Sequence, residues 1–129
     1  MTAVFDDPDV AGEVAAAFAD YERALMAYDV DALDGHFWLD PRAVRFGIAE
    51  NLYGHAAIAG YRRSRTSVPV RQLANTAVLV LGADAAVVNT EFSYPGDPRT
   101  GRQSQVWART TAGWRVVAAH VSFQQAVER

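Results

Sequence analysis

The sequence contains no cysteine, which excludes disulfides, thiolate metal sites and a cysteine nucleophile. Basic residues are not in excess, because the formal charge is −3 and the pI is about 5.5. A nucleic-acid binder would need a basic face. No apolar run approaches the ~20 residues of a membrane span, and the acidic first nine residues do not resemble a signal peptide. We therefore expect a cytoplasmic protein that binds neither nucleic acid nor membrane.

The composition is that of a globular domain. The chain has 129 residues, of which 50% are hydrophobic and 21% are charged, enough to bury a core without cross-links. Neither repeats nor a linker interrupt it. We therefore expect residues 1–129 to form a single domain.

The first half of the sequence has the periodicity of helices. Asp7-Pro8 is a helix start, because Asp can cap and Pro loses no hydrogen bond in the first turn. Apolar residues then recur at intervals of three and four, which predicts one helix face: Val14, Phe18, Tyr21, Leu25 and Tyr28. A second, short helix is predicted after Asp29 or Asp31, and a third over residues 54–65.

The second half has the alternation and turns of strands. Strands are predicted over residues 42–48, 70–81, 85–94, 101–111 and 114–124. Turn sequences at residues 82–84, 95–98 and 112–113 separate the later ones. Helices followed by long antiparallel strands predict an α+β fold whose sheet curves around the first helix.

Arg45 is the first polar residue that a simple core does not explain. Its neighbours on the same strand face are the small residues Ala43 and Gly47, which leave space beside the guanidinium. A ligand carboxylate could bind there through two hydrogen bonds. An exposed arginine, or a salt bridge to Glu50, is the alternative.

Tyr21 lies in the middle of the apolar stripe of the first helix, between Phe18 and Leu25. A core tyrosine whose hydroxyl finds a partner is the commoner case. The functional alternative is a phenol that points into a pocket and acts as hydrogen-bond donor or general acid.

The most polar strand, residues 101–107, is predicted to pair with residues 118–122. In one register Gln105 faces His120, and in the other Ser104 does. A slip of one residue exchanges the two faces of a strand, so both registers stay open. Small residues surround the polar ones in either case, which favours a pocket over a structural histidine or an amide ladder at an oligomer interface.

Four arginines cluster around the end of the third helix: Arg62, Arg63, Arg65 and Arg71. The helix dipole favours cations there, although one of them could contact an anionic ligand. The histidines His36, His55 and His120 have no metal-binding spacing, and no glycine-rich phosphate loop occurs. We therefore expect neither a metal nor a cofactor.

These polar residues belong to motifs that span most of the chain. The motifs are Val44-Arg45-Phe46-Gly47, Glu50-Asn51-Leu52-Tyr53-Gly54, Tyr61-Arg62 with Arg65, Gly101-Arg102-Gln103-Ser104-Gln105 with Trp107, and Ala118-Ala119-His120-Val121-Ser122. Together they resemble a branch of the nuclear transport factor two-like (SnoaL-like) superfamily. That branch contains oxalurate-catabolism accessory proteins and proteins that process 1,3-dicarboxyurea.

The resemblance implies a cone-shaped, cystatin-like α+β fold, in which a curved mixed, mainly antiparallel sheet wraps around the N-terminal helices. It also implies a homodimer through the sheet and a pocket for a small anionic substrate. Tyr21 and Arg45 match the functional tyrosine and arginine of the branch, and Tyr28 departs from its usual asparagine. The residues expected to bind substrate are Arg65, Gln103, Gln105, Trp107, His120 and Ser122.

The function expected from this resemblance is metal-free hydrolysis with decarboxylation of a small carboxylated urea or oxalurate-like anion. Two alternatives remain. The protein could be a non-catalytic partner of an amidase in the same pathway. It could also be an isomerase or dehydratase of the superfamily, which would need an apolar pocket without arginine.

Overall fold

Three helices and six strands make up residues 6–125, the part of the chain that the computed structural model describes. The helices are α1 (Pro8–Ala27), α2 (Val30–His36) and α3 (His55–Arg63). The strands are β1 (Val44–Phe46), β2 (Asn51–Tyr53), β3 (Gln72–Gly82), β4 (Ala85–Ser93), β5 (Thr100–Thr110) and β6 (Gly113–Gln124).

Helix α1 begins at a side-chain cap. The Asp7 carboxylate accepts hydrogen bonds from the backbone N–H groups of Asp9 and Val10, at 2.9 and 3.4 Å, and Pro8 fills the first turn. The helix ends at Tyr28, whose backbone is left-handed with a φ of 48°. The Tyr28 hydroxyl donates to the carbonyl of Arg62 at 2.6 Å, so this residue ties α1 to the end of α3.

The six strands form one sheet in the order β2-β1-β6-β5-β4-β3. Neighbours are antiparallel except β1 and β6, which run parallel. The predicted α+β class with a curved mixed sheet is therefore confirmed. No helix within residues 6–125 is long and apolar enough to cross a membrane.

The strand predicted over residues 42–48 is confirmed in part, because β1 covers only Val44–Phe46. An antiparallel strand that is not predicted from the sequence, β2, follows it. The chain reverses between them because the N–H of Gly47 donates to the carbonyl of Glu50 at 2.9 Å. This turn brings Glu50 next to Arg45.

The hairpin of β5 and β6 settles the register that the sequence leaves open. Trp107 pairs with Val116 and Val106 pairs with Ala118, so Val117 is an extra residue in β6. Beyond this bulge, Ser104 is opposite His120. His120 is consequently exposed on the outer face of the sheet.

The core lies between the helices and the concave face of the sheet. Its largest fully buried side chains include Trp107, Phe37 and Leu33. The ring of Tyr21 packs against this core, with centroids 6.3 Å from Phe37 and 6.4 Å from Trp107. Tyr21 thus sits where the core ends and an open cavity begins.

Candidate functional site

A cavity of about 390 Å³ opens between α1, α3 and the concave face of the sheet. This volume suits a small metabolite. Among residues 6–125, five arginines line it, Arg45, Arg62, Arg65, Arg71 and Arg99, beside one carboxylate, Glu50. Because the whole chain carries a net charge of −3, this concentration of cations favours an anionic ligand.

Tyr21 contributes an unpaired phenol to the cavity. The residue is only 4% exposed, and its ring is held edge-on against His36 and Trp107. No hydrogen-bond partner for its hydroxyl occurs among residues 6–125, although the residue lines the cavity. The packed ring fixes the phenol in place and leaves its proton for a ligand.

Arg45 lies in the cavity wall rather than in bulk solvent, with 21% of its side chain exposed. Its Nη1 donates to Oε1 of Glu50 at 2.9 Å. Gly47 makes this pair possible, because a Cβ there would overlap the Glu50 carboxylate. The space beside Gly47 therefore holds the Glu50 carboxylate. Within residues 6–125, only Nη1 of the Arg45 guanidinium has a protein acceptor.

Arg71 and Gln103 form a second polar group in the cavity, anchored by Glu22. Glu22 accepts two hydrogen bonds from Arg71, at 2.9 Å from Nε and 2.7 Å from Nη2. The remaining nitrogen, Nη1, donates to Oε1 of Gln103 at 3.2 Å. The Gln103 Nε2 atom is buried and has no partner among the described residues.

Two opposing effects act on the pKa of Arg71. Burial acts to lower the pKa of Arg71, but the hydrogen bond and the charge of Glu22 outweigh it, and the pKa is raised. Tyr21 and Arg71 line the same cavity, where a cation can stabilise a negatively charged oxygen. Arg71 therefore stays charged and can stabilise negative charge on the phenol oxygen.

The other lining arginines have structural partners. Arg99 lies 3.8 Å over the ring of Phe123, and its hydrogen bond lowers the pKa of Asp97 to about 2. Arg62 is buried, 4.6 Å over the ring of Phe37. These contacts fix the cavity wall on two sides.

Four of the eight predicted site residues line this cavity: Tyr21, Arg45, Arg65 and Gln103. Gln105 and Trp107 do not, which corrects their expected role in substrate binding. Both are fully buried, and Nε1 of Trp107 donates to Oε1 of Gln105 at 3.1 Å. Trp107 packs against the ring of Tyr21 from the core.

His120 and Ser122 also lie away from the cavity, because the bulge at Val117 turns them to the outer face. There they border a separate shallow depression together with Ser104 and Asn89. The expectation that His120 and Ser122 share one pocket with Tyr21 and Arg45 is therefore wrong. Within residues 6–125, no three His, Asp or Glu side chains converge as a metal site.

Sequence reasoning missed Glu22 and placed Arg71 only in a basic cluster. A signal was present for both. Glu22 lies four residues after Phe18 and three before Leu25, at the edge of the apolar stripe. Arg71 lies two residues before Leu73, on the same side of the strand. A charge at such inward positions indicates a buried ion pair.

Comparison with solved structures finds close relatives in two bacteria. A cystatin-like fold protein from Burkholderia xenovorans LB400 is 43% identical, with a TM-score of 0.93 over 98% of this chain and 100% of that one. A protein of unknown function from the DUF3225 family of Pectobacterium atrosepticum SCRI1043 is 45% identical, with a TM-score of 0.91 over 94% and 95%.

A more distant structure shows the wider fold. A nuclear transport factor 2-like superfamily protein from Salmonella enterica serovar Typhimurium LT2 is 23% identical, with a TM-score of 0.75 over 94% of this chain and 95% of that one. The comparison with curated proteins finds no match. A family model described as AtzH-like matches residues 3–127. The chain therefore belongs to the AtzH-like family.

Proposed function

We propose that the cavity binds a small carboxylated urea and catalyses loss of carbon dioxide from its nitrogen. The observation that carries the proposal is that a charged guanidinium, Arg45, and an unpaired phenol, Tyr21, line the same cavity. Membership of the AtzH-like family supports it, since the chain also resembles proteins that process 1,3-dicarboxyurea.

The chemistry assigns different tasks to the two residues. A dicarboxylated urea has two carboxylates, and a cation that held the departing one would oppose its loss of charge. Arg45 therefore anchors the carboxylate that stays, and its pairing with Glu50 moderates the charge it presents.

In the bond-breaking step, the bond between nitrogen and the departing carboxylate carbon breaks, and its electron pair stays on nitrogen. Carbon dioxide leaves, and the Tyr21 hydroxyl delivers a proton to that nitrogen. Arg71 stabilises the resulting phenolate until water returns the proton. The net reaction consumes one proton for each carbon dioxide released.

The test is carbon dioxide release from 1,3-dicarboxyurea by the purified chain. Oxalurate, whose carboxylate is attached to carbon and not to nitrogen, should bind without releasing carbon dioxide. Tyr21→Phe keeps the ring but removes the proton, so kcat should fall by about 10²-fold or more. Arg45→Ala should instead raise KM. Tyr53→Phe, at a residue that is 67% exposed, is the matched control. A wild type no faster than buffer, or full rates in both variants, would contradict the proposal.

A second candidate is a binding partner of an amidase without chemistry of its own. The pairing of Arg45 with Glu50 and of Arg71 with Glu22 favours it, because both cations already have carboxylate partners. Ligand binding without turnover, together with co-purification of an amidase, would support this candidate. The five lining arginines argue against an isomerase or dehydratase, which would need an apolar pocket.

We also propose that the chain forms a homodimer through the outer face of the sheet. The face carries polar side chains that pair with one another: Ser104 donates to Asn89 at 2.6 Å, and Asn75 donates to Glu91 at 2.6 Å. Half-buried Val87 and Val106 lie on the same face. In this arrangement His120 would contact the partner subunit instead of the substrate.

A further inference from the structure

We infer that Gln103 selects ligands that carry a neutral carbonyl oxygen in addition to their carboxylate. Glu22 and Arg71 act as the positioning residues that hold its amide. The inference deepens the proposed function and rests on it, since it presumes that the ligand's carboxylate binds at Arg45.

The orientation of the Gln103 amide follows from its neighbour. A guanidinium has only donors, so the atom of Gln103 that faces Arg71 must be its oxygen. The two hydrogen bonds to Glu22 prevent Arg71 from turning away. The amide nitrogen is therefore directed away from Arg71 in a fixed orientation.

The Nε2 nitrogen of Gln103 is a buried hydrogen-bond donor that lacks an acceptor. Gln103 is 4% exposed and lines the cavity, and its Nε2 has no acceptor among residues 6–125. A buried donor without an acceptor is energetically costly. A ligand oxygen that accepts from Nε2 would recover this cost, so the site rejects a ligand that has only hydrocarbon there.

The charge distribution tells which ligand oxygen belongs at each end. Glu22 offsets the charge of Arg71, so the Gln103 end offers less positive charge than the Arg45 end and suits a neutral carbonyl. Arg45 and Arg65 both contact the ring or hydroxyl of Tyr61, and Arg65 has no carboxylate within 4 Å among the described residues. The surplus charge therefore lies at the Arg45 end, which suits the carboxylate.

The experiment compares two acids with the same number of non-hydrogen atoms, each titrated into the full chain by calorimetry. N-carbamoylglycine carries a carbonyl, whereas 4-methylpentanoate has a methyl group in place of that oxygen and carbon in place of both nitrogens, so the variants below decide how much of the difference comes from the carbonyl. The wild type should bind N-carbamoylglycine about tenfold or more tightly than 4-methylpentanoate.

Three variants locate the origin of this preference. Gln103→Glu keeps the size and an oxygen for Arg71 but replaces the donor, so the preference should disappear. Glu22→Gln should weaken it, because Arg71 loses its anchor and the amide can turn. Gln72→Leu, at an exposed position of β3, is the control and should keep the wild-type preference.

A measurement on the wild type alone covers the case in which a variant does not fold. In the 15N-labelled chain, the side-chain amide signal of Gln103 should shift with N-carbamoylglycine and not with 4-methylpentanoate. Equal affinities for the two acids, or a preference that Gln103→Glu retains, would overturn this inference and leave the proposed function intact. Binding of neither acid would remove both.

Discussion

Glu50 offsets the positive charge that Arg45 presents to a ligand. Its carboxylate accepts from Nη1 of Arg45 at 2.9 Å, and both side chains are 21% exposed. Glu50→Gln should tighten binding of N-carbamoylglycine by roughly threefold to tenfold, because no neighbouring carboxylate then offsets the positive charge of the guanidinium. Calorimetry on the variant and the wild type measures the change.

The control for this variant is Glu91→Gln, which removes a carboxylate from the outer face. It should leave the affinity unchanged. Because ion pairs near the surface contribute about 1 kcal/mol or less, Glu50→Gln should also retain nearly the wild-type free energy of unfolding. Weaker binding in Glu50→Gln would mean that Glu50 helps to bind the ligand, contrary to this account.

His36 is expected to make the free energy of unfolding depend on pH. Burial lowers its pKa from the ordinary value, and the charges of Arg115 and Arg62 lower it further. The unfolded chain therefore binds a proton at His36 at a pH where the folded chain does not. The free energy of unfolding should fall as pH decreases from 7 to 5, and urea denaturation at several pH values measures this.

His36→Gln removes the titrating group while keeping a polar side chain of similar length. Its unfolding free energy should change less between pH 7 and pH 5 than that of the wild type. If the variant keeps the wild-type slope over this range, the assignment of the pH dependence to His36 is wrong.

At the scale of secondary-structure elements, Asp7 is expected to stabilise α1 through its cap. Asp7→Ala leaves two N–H groups of the first turn without their acceptor and should cost about 1 kcal/mol of unfolding free energy. Asp7→Asn keeps an acceptor oxygen and should stay close to the wild type. Urea denaturation of both variants tests the cap. Equal losses of unfolding free energy in the two variants would show that the acceptor oxygen at residue 7 does not stabilise the helix.

Local patterns predict the long elements well, because their signals lie within a few residues. The stripe of α1 and the alternation of β3 to β6 are such signals, and the structure confirms them within a few residues at each end. Strand β1 covers only three of the seven residues predicted for it, and the three residues of β2 are too few to show an alternation of their own. The parallel pairing of β1 with β6 joins segments more than 70 residues apart, which no local pattern reports.

The site was predictable where a single residue broke a pattern. Tyr21 in an apolar stripe and Arg45 between small residues are such exceptions, and the structure brings both to the cavity. His120 was misplaced because the extra residue Val117 changes the register without any signal in the alternation. The contact of Arg71 with Glu22 spans 49 residues and depends on how β3 packs beside α1.

At the scale of the whole molecule, the proposed dimer through the outer face of the sheet predicts a molecular mass in solution. A dimer through this face should have a mass of about 28 kDa, twice the 14.1 kDa of the chain. Ser104→Arg would add a bulky cation to this face in each subunit and should give a monomer of 14.1 kDa. Light scattering coupled to size-exclusion chromatography measures both masses, and a monomeric wild type would contradict the dimer.

The proposed function requires the ligand to occupy the cavity beside Tyr21, and a crystal structure of the chain with bound oxalurate would show whether it does. We predict a ligand carboxylate within hydrogen-bond distance of Arg45, with the remainder of the molecule extending toward the Tyr21 hydroxyl and Gln103. Oxalurate bound at the outer depression beside His120, with an empty cavity in the same crystal, would contradict the proposed function.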